Sequence, residues 1–177
     1  MYAKIQKVLE KFVSKSTIYK YGFNYSPMYR RSTGKLYYVS DDLLTVKVKI
    51  KLSYKNSNYV GSIFGGSMLS ATDPIFMVQL INILDNSYVV WDKAASIKFK
   101  RPAKETCYVE FIFTKDEIEQ LKKDILASKE IGLIKQLKIT NKDKTVVFAE
   151  VSKTIYIANK EYYKQKLKQK LAKKSSL

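Results

Sequence analysis

Residues 44–52 alternate Val46, Val48, Ile50 and Leu52 with Lys47, Lys49 and Lys51. A period of two with one apolar face predicts a strand buried on one side and wet on the other. Lys35–Ser40 reads as its partner, with Asp41 and Asp42 in the turn between them. Four further strand-like runs follow at Tyr88–Phe99, Thr106–Thr114, Leu133–Thr140 and Thr145–Ala158, the last two joined as a hairpin across Asn141–Lys144. Helical spacing appears first at Ile5, Val8, Leu9, Phe12 and Val13 with lysines between them, predicting an amphipathic helix over residues 1–20. A second amphipathic helix is expected at Lys115–Ser128, and a Lys-rich terminal helix over residues 159–177. From Gly65 to Leu84 nearly every residue is apolar or small, as in a helix buried all round. Residues 21–33, punctuated by Gly22 and Pro27, read as a loop, and residues 53–62 as a polar loop. One buried helix among six strands needs a sheet that curls around it, so an α+β architecture in a single domain over residues 1–177 is expected.

Composition narrows the chemistry. The 177 residues include no histidine and one cysteine, Cys107. That excludes Ser–His–Asp triads, Cys–His dyads, His-bearing metal sites and intrachain disulfides, and no metal or separate cofactor is expected. Any catalysis falls to carboxylates, hydroxyls, lysines and backbone groups. Lys and Arg number 33 against 16 acids, a formal charge of +17. The excess sits at the ends: residues 1–35 hold eight cations and Glu10, and residues 159–177 hold seven lysines and Glu161. Such ends attract polyanions in general. Nucleic acid is not the expected partner, because no recognition module can be drawn and arginine occurs only at positions 30, 31 and 101. Two readings of the terminal helices stay open, packing on the domain edge or contact with an anionic membrane surface. With no membrane-spanning run and no apolar leader, a cytoplasmic location is the expectation.

The informative stretch runs from Asn58 to Pro74: NYVGSIFGGSMLSATDP. Gly65 and Gly66 open the buried helix, where the first N–H groups lack intrahelical partners and sit at the positive end of the dipole. Such donors suit a carbonyl oxygen gaining negative charge. Asp73 follows Gly66 by seven residues and returns to nearly the same face. A carboxylate in an apolar helix is costly unless paired, solvated or used. Asp73-Pro74 has two further readings: an N-cap with proline at the first helical position, or a proline kink in one longer helix that frees the Ser70 carbonyl. Asp92, beside Trp91, reads as a strand-end acid paired with a cation, and Cys107 as core.

This pattern resembles the hotdog-fold thioesterases of the phenylacetyl-CoA type. Asn58, Gly61, Gly65, Gly66 and Asp73 match that group's spacing, and Phe64 stands where the group usually has histidine. Together with Tyr88–Pro102, the stretch is similar to a bacterial branch of that superfamily over about residues 20–158. The resemblance implies a hotdog fold, a curled antiparallel sheet wrapping a long central helix, in homodimers that often pair into tetramers. It implies an acyl-CoA or acyl-carrier-protein thioesterase, with CoA present only as part of the substrate. The Gly66 N–H would polarise the thioester carbonyl, Asp73 would serve as base or nucleophile, and Asn58 would position water or the carbonyl. Gly65 and Phe64 would border the acyl group, and Lys98, Lys100, Arg101 and Lys104 would hold the phosphates. The alternative is an acyl-CoA or fatty-acyl binding protein without catalysis, because Phe64 removes a side chain that often helps in related enzymes.

Overall fold

A computed structural model describes residues 13–175. Its elements, in chain order, are α1 (Lys15–Tyr25), α2 (Pro27–Arg31), β1 (Gly34–Val39), β2 (Thr45–Ile50), α3 (Gly65–Thr72), α4 (Ile75–Ile83), β3 (Tyr88–Phe99), β4 (Cys107–Ile112), α5 (Lys115–Ser128), β5 (Glu130–Thr140), β6 (Val147–Asn159) and α6 (Lys160–Ser175). The six strands form one antiparallel sheet in the order β1-β2-β4-β5-β6-β3. The alternation read in β2 is realised: Val46, Val48 and Ile50 are fully buried while their lysine neighbours are not. Its inner face meets α3 and α4, whose Met68, Ala71, Ile75, Phe76 and Leu80 make up the helical side of the core. Phe76 packs edge-on against Phe111 and Phe113 at ring separations of 5.0 and 5.3 Å. The helix α5 starts at a reciprocal cap, in which the Thr114 hydroxyl accepts from the Glu117 N–H and Glu117 reaches back to the Thr114 N–H.

Two sequence expectations change. Most of the predicted 1–20 helix lies outside the described residues, and within them a helix begins at Lys15, capped by Ser14, whose hydroxyl accepts from the Thr17 N–H. Residues 21–33 are not a loop. Gly22 lies within α1, where a Cβ would meet nothing within 4 Å, and Pro27 opens α2 at a position that needs no N–H donor.

These two helices are held by the central helix. The Tyr29 hydroxyl donates to the Ala71 carbonyl at 2.9 Å and the Tyr19 hydroxyl to the Ile75 carbonyl at 3.2 Å, both buried. The carbonyls they reach flank Asp73-Pro74, where the long apolar segment divides into α3 and α4. Both Asp73 and Pro74 keep right-handed helical backbone angles, and Pro74 accepts from the Val78 N–H at 3.0 Å. The segment is therefore one helix kinked at proline, and no side-chain cap starts α4. Of the two readings of Asp73-Pro74, the kink is the one the backbone adopts.

Candidate active site

The start of α3 is built by the loop that precedes it. Buried Asn56 ties that loop down: its carbonyl accepts from the Phe64 N–H at 2.7 Å, and its side-chain amide donates to Thr33 Oγ1 and the Lys51 carbonyl. The Ile63 N–H donates to the Ala103 carbonyl, which joins the loop to the segment after β3. Phe64 is the N-cap residue of α3, without a side-chain cap. Its carbonyl accepts from the Ser67 and Met68 N–H groups. Gly65 and Gly66 thus occupy the first two helical positions, whose N–H groups point out of the helix. The absence of side chains there matters for space: a Cβ on Gly65 would collide with the ring of Phe99, and one on Gly66 with the ring of Phe64. Both rings are about half exposed, at 54% and 57%.

Beside this start lies a groove of about 360 Å³ that brings together Asn58, Gly65, Met68, Phe99, Lys100 and Arg101. Asn58 faces inward to its own loop. Its Oδ1 accepts from the Val60 and Ser62 N–H groups at 3.1 and 3.0 Å, and its amide donates to Ser62 Oγ at 2.9 Å. That bonding makes Asn58 a clasp for the rim, with Gly61 at a positive φ of 73° completing the turn. We expect Asn58→Ala to lower stability by about 1–2 kcal/mol, the net worth of the lost bonds, read as a lower urea midpoint at unchanged slope. Lys100 pairs with Glu150 at 2.8 Å, and Arg101 is exposed. Lys98 and Lys104 do not line the groove. Lys98 borders a separate cleft on the outer sheet face, and Lys104 is exposed in the segment after β3.

Asp73 sits at the other end of α3, seven residues or roughly 10 Å along the axis from Gly66. Its carboxylate is 57% exposed and is fixed at 2.7 Å by the Lys153 ammonium. Lys153 lies on the inner face of β6 between Val151 and Ile155 and is 1% exposed. The same ammonium reaches Asp92 Oδ2 at 3.3 Å, while Asp92 Oδ1 is buried without a partner. Burial pushes the Asp92 carboxyl above the usual carboxylate range, opposed by Lys153 and reinforced by the negative charge of Asp73. Asp92 is thus paired with a cation as the sequence suggested, but through Lys153. Lys153 itself escaped the sequence reading. Its signal was a lysine at a strand position whose neighbours two residues away on either side are apolar. Gln79, buried and donating to the Leu43 carbonyl at 2.9 Å, ties α4 to the β1–β2 turn.

The arrangement is a glycine helix start beside a mostly apolar groove edged by Lys100 and Arg101, and a carboxylate on the same kinked helix anchored by a buried lysine of β6. Residues 27–157 match the model of a family described as a domain of unknown function, DUF4442. The chain belongs to the DUF4442 family. Solved structures with the same architecture include a Pseudomonas aeruginosa protein, PA5026, described as "Probable Thioesterase", at 17% identity and TM-score 0.72, covering 81% of this chain and 95% of that one. OLEI01261 of Chlorobaculum tepidum matches at 15% identity and TM-score 0.62, over 89% and 96% of the two chains. A point mutant of thioesterase PA1618 of Pseudomonas aeruginosa matches at 6% identity and TM-score 0.59, over 84% and 97%. None of the curated proteins searched matches the chain. At these identities the likeness is one of fold: this DUF4442 chain is an α+β hotdog, its sheet curled around the kinked α3–α4 helix. Among the described residues, no helix is long and apolar enough to cross a membrane.

Proposed function

We propose that this protein hydrolyses acyl thioesters of CoA or of an acyl carrier protein, as a homodimer. The observation that carries the reading is the Asp73 carboxylate, open to solvent yet pinned by a buried lysine, on the helix whose glycine start borders a mostly apolar groove edged by Lys100 and Arg101. The Gly65 and Gly66 N–H groups would receive the thioester oxygen as it becomes negative. Asp73 would take a proton from water as the water oxygen attacks the carbonyl carbon, or attack that carbon itself. Collapse of the adduct breaks the C–S bond, and the departing thiolate takes up a proton. On the second route the acyl group stays on Asp73 as a mixed anhydride, which water then hydrolyses. Arg101 and Lys100, which line the groove, would meet the phosphates, whereas Lys98 and Lys104 lie outside it.

The separation of Gly66 from Asp73 asks for two copies of the chain. One carbonyl cannot touch both ends of α3 in a single copy, so the glycine start of one protomer would face Asp73 of the other. The sheet offers a seam for that pairing. Its edge strand β3 is twelve residues long, with Trp91 and Phe99 more than half exposed. An uncovered edge of that length is a template for pairing with another strand. Support for hydrolysis also comes from PA5026, described as a probable thioesterase, and from thioesterase PA1618, which share the fold.

Thiol release from short, long and aryl acyl-CoAs tests the reading. Burial pushes the Cys107 thiol up to about 12, so the protein adds little to the thiol signal. One feature favours a second reading, binding without turnover: the Phe64 ring lies against Gly66, where an incoming carbonyl must displace it. That reading expects saturable acyl-CoA binding by calorimetry and no thiol release.

A further inference from the structure

Lys153 belongs to neither the glycine motif nor the groove beside it, yet it is the residue that holds the Asp73 carboxylate. A buried ammonium is costly unless carboxylates and hydrogen bonds compensate it. Here two carboxylates share it, and they differ. Asp73 opens to solvent on one side, whereas Asp92 is 20% exposed and keeps one oxygen buried without a partner. A bulge in β3 at Lys93, which shifts the register against β6 between Asp92 and Ala94, accompanies that inward placement.

The other charges near the cluster are committed or turned to solvent. Lys135, directly across from Lys153 on β5, pairs with Glu117 of α5 at 2.7 Å and lies 4.5 Å from the centre of the Phe113 ring. Lys93 is exposed on β3. Asp73, Asp92 and Lys153 therefore form a unit with two acids and one cation. A flexible surface lysine would hold a carboxylate loosely. A lysine packed between Val151 and Ile155 on a central strand presents its charge at a fixed point.

We propose that Lys153 is the positioning residue of the Asp73 site, holding that carboxylate in one orientation, and that Asp92 is a reserve carboxylate competing for the same ammonium. When Asp92 carries a proton, Lys153 belongs wholly to Asp73; when Asp92 is ionised, the ammonium is divided. The proposal rests on the reading that Asp73 is the working carboxylate of a thioester hydrolase.

The test joins acyl-CoA thiol-release kinetics with carboxyl-carbon NMR of the full chain labelled with ¹³C-aspartate. It uses Lys153→Met, and the double variant Lys153→Met/Asp92→Asn, which removes the ammonium together with the buried acid and so protects folding, checked by circular dichroism. In the folded double variant we expect kcat to fall about 100-fold, the scale of a misplaced reacting group, with KM changed less than about threefold. In Lys153→Met, the Asp92 resonance should titrate at higher pH than in the parent, and in Asp73→Asn at lower pH, because the first removes a stabilising cation and the second a repelling anion. Parental kcat in the double variant would overturn the positioning role while leaving the hydrolase reading intact. If the parent releases no thiol from any substrate, the hydrolase reading falls and the NMR arm still decides the coupling. An Asp92 titration indifferent to both substitutions would overturn it, and the two opposite shifts would uphold it.

Discussion

Asp73→Asn should reduce thiol release from the best acyl-CoA by at least about 100-fold, the low end of what a positioned base contributes. The substitution keeps the shape and leaves an oxygen that still accepts from Lys153, now 2.7 Å from Asp73 Oδ1. It removes the ability to take a proton or to attack carbon. Stability should change little. The Asp73 side chain is more than half exposed, and Lys153 retains Asp92 as its ionic partner. The measurement is kcat/KM beside a thermal melt, and the diagnostic outcome is lost turnover at a melting temperature within a few degrees of the parent. Parental turnover in a folded Asp73→Asn would remove this carboxylate from the chemistry and, with it, the reading of the α3 kink as half of an active site. Retained acyl-CoA affinity alongside lost turnover would separate binding by the groove from catalysis by the acid.

Phe76→Ala should lower stability by about 3–5 kcal/mol, the range for emptying a large aromatic site in a packed core. Phe76 is 1% exposed, with two aromatic neighbours edge-on and the Lys135 ammonium 5.5 Å from its ring centre. It lies two residues after the proline kink, where α4 turns against β4. Truncation would leave a cavity lined by Phe111, held on β4, and by Phe113, whose N–H is bonded to the Leu44 carbonyl just past the end of that strand. Urea unfolding should show a lower midpoint at unchanged slope. A loss below about 1 kcal/mol would mean that this core relaxes freely, contrary to close packing.

The parts of the fold legible in the sequence were those with a single strong period. β2 announced itself because three buried aliphatics alternate with lysines, and β3, β4, α5, β5 and β6 fell within a few residues of their runs. The segments at 15–31 were illegible for a physical reason. They carry tyrosines, serines and lysines without a clean apolar stripe, and the tertiary bonds of Tyr19 and Tyr29 hold them against the central helix. The site divided in the same way. Gly65, Gly66 and Asp73 stood out because glycine pairs and a carboxylate are conspicuous in an apolar helix. Lys153 was hidden among 33 cations, most of them surface lysines in any reading by composition. Asn58 stands out by spacing, but its bonding is spent on the rim of its own loop, a role that spacing alone does not distinguish from contact with substrate.

The tyrosine clamps bear on where this protein begins as a physical unit. The family match starts at residue 27, which retains Tyr29 and discards Tyr19. A gene fragment cut at that boundary for expression would strip α1 from the kink that carries Asp73 and remove the buried Tyr19 hydroxyl from the Ile75 carbonyl. The lost bond is worth about 0.5–1.5 kcal/mol net, because the Ile75 carbonyl, in the first turn of α4, keeps its helical partner. The minimal unit for recombinant work is thus set by a hydroxyl outside the family-domain limits, and screening of shortened genes should begin upstream of Ser14, the residue that caps α1.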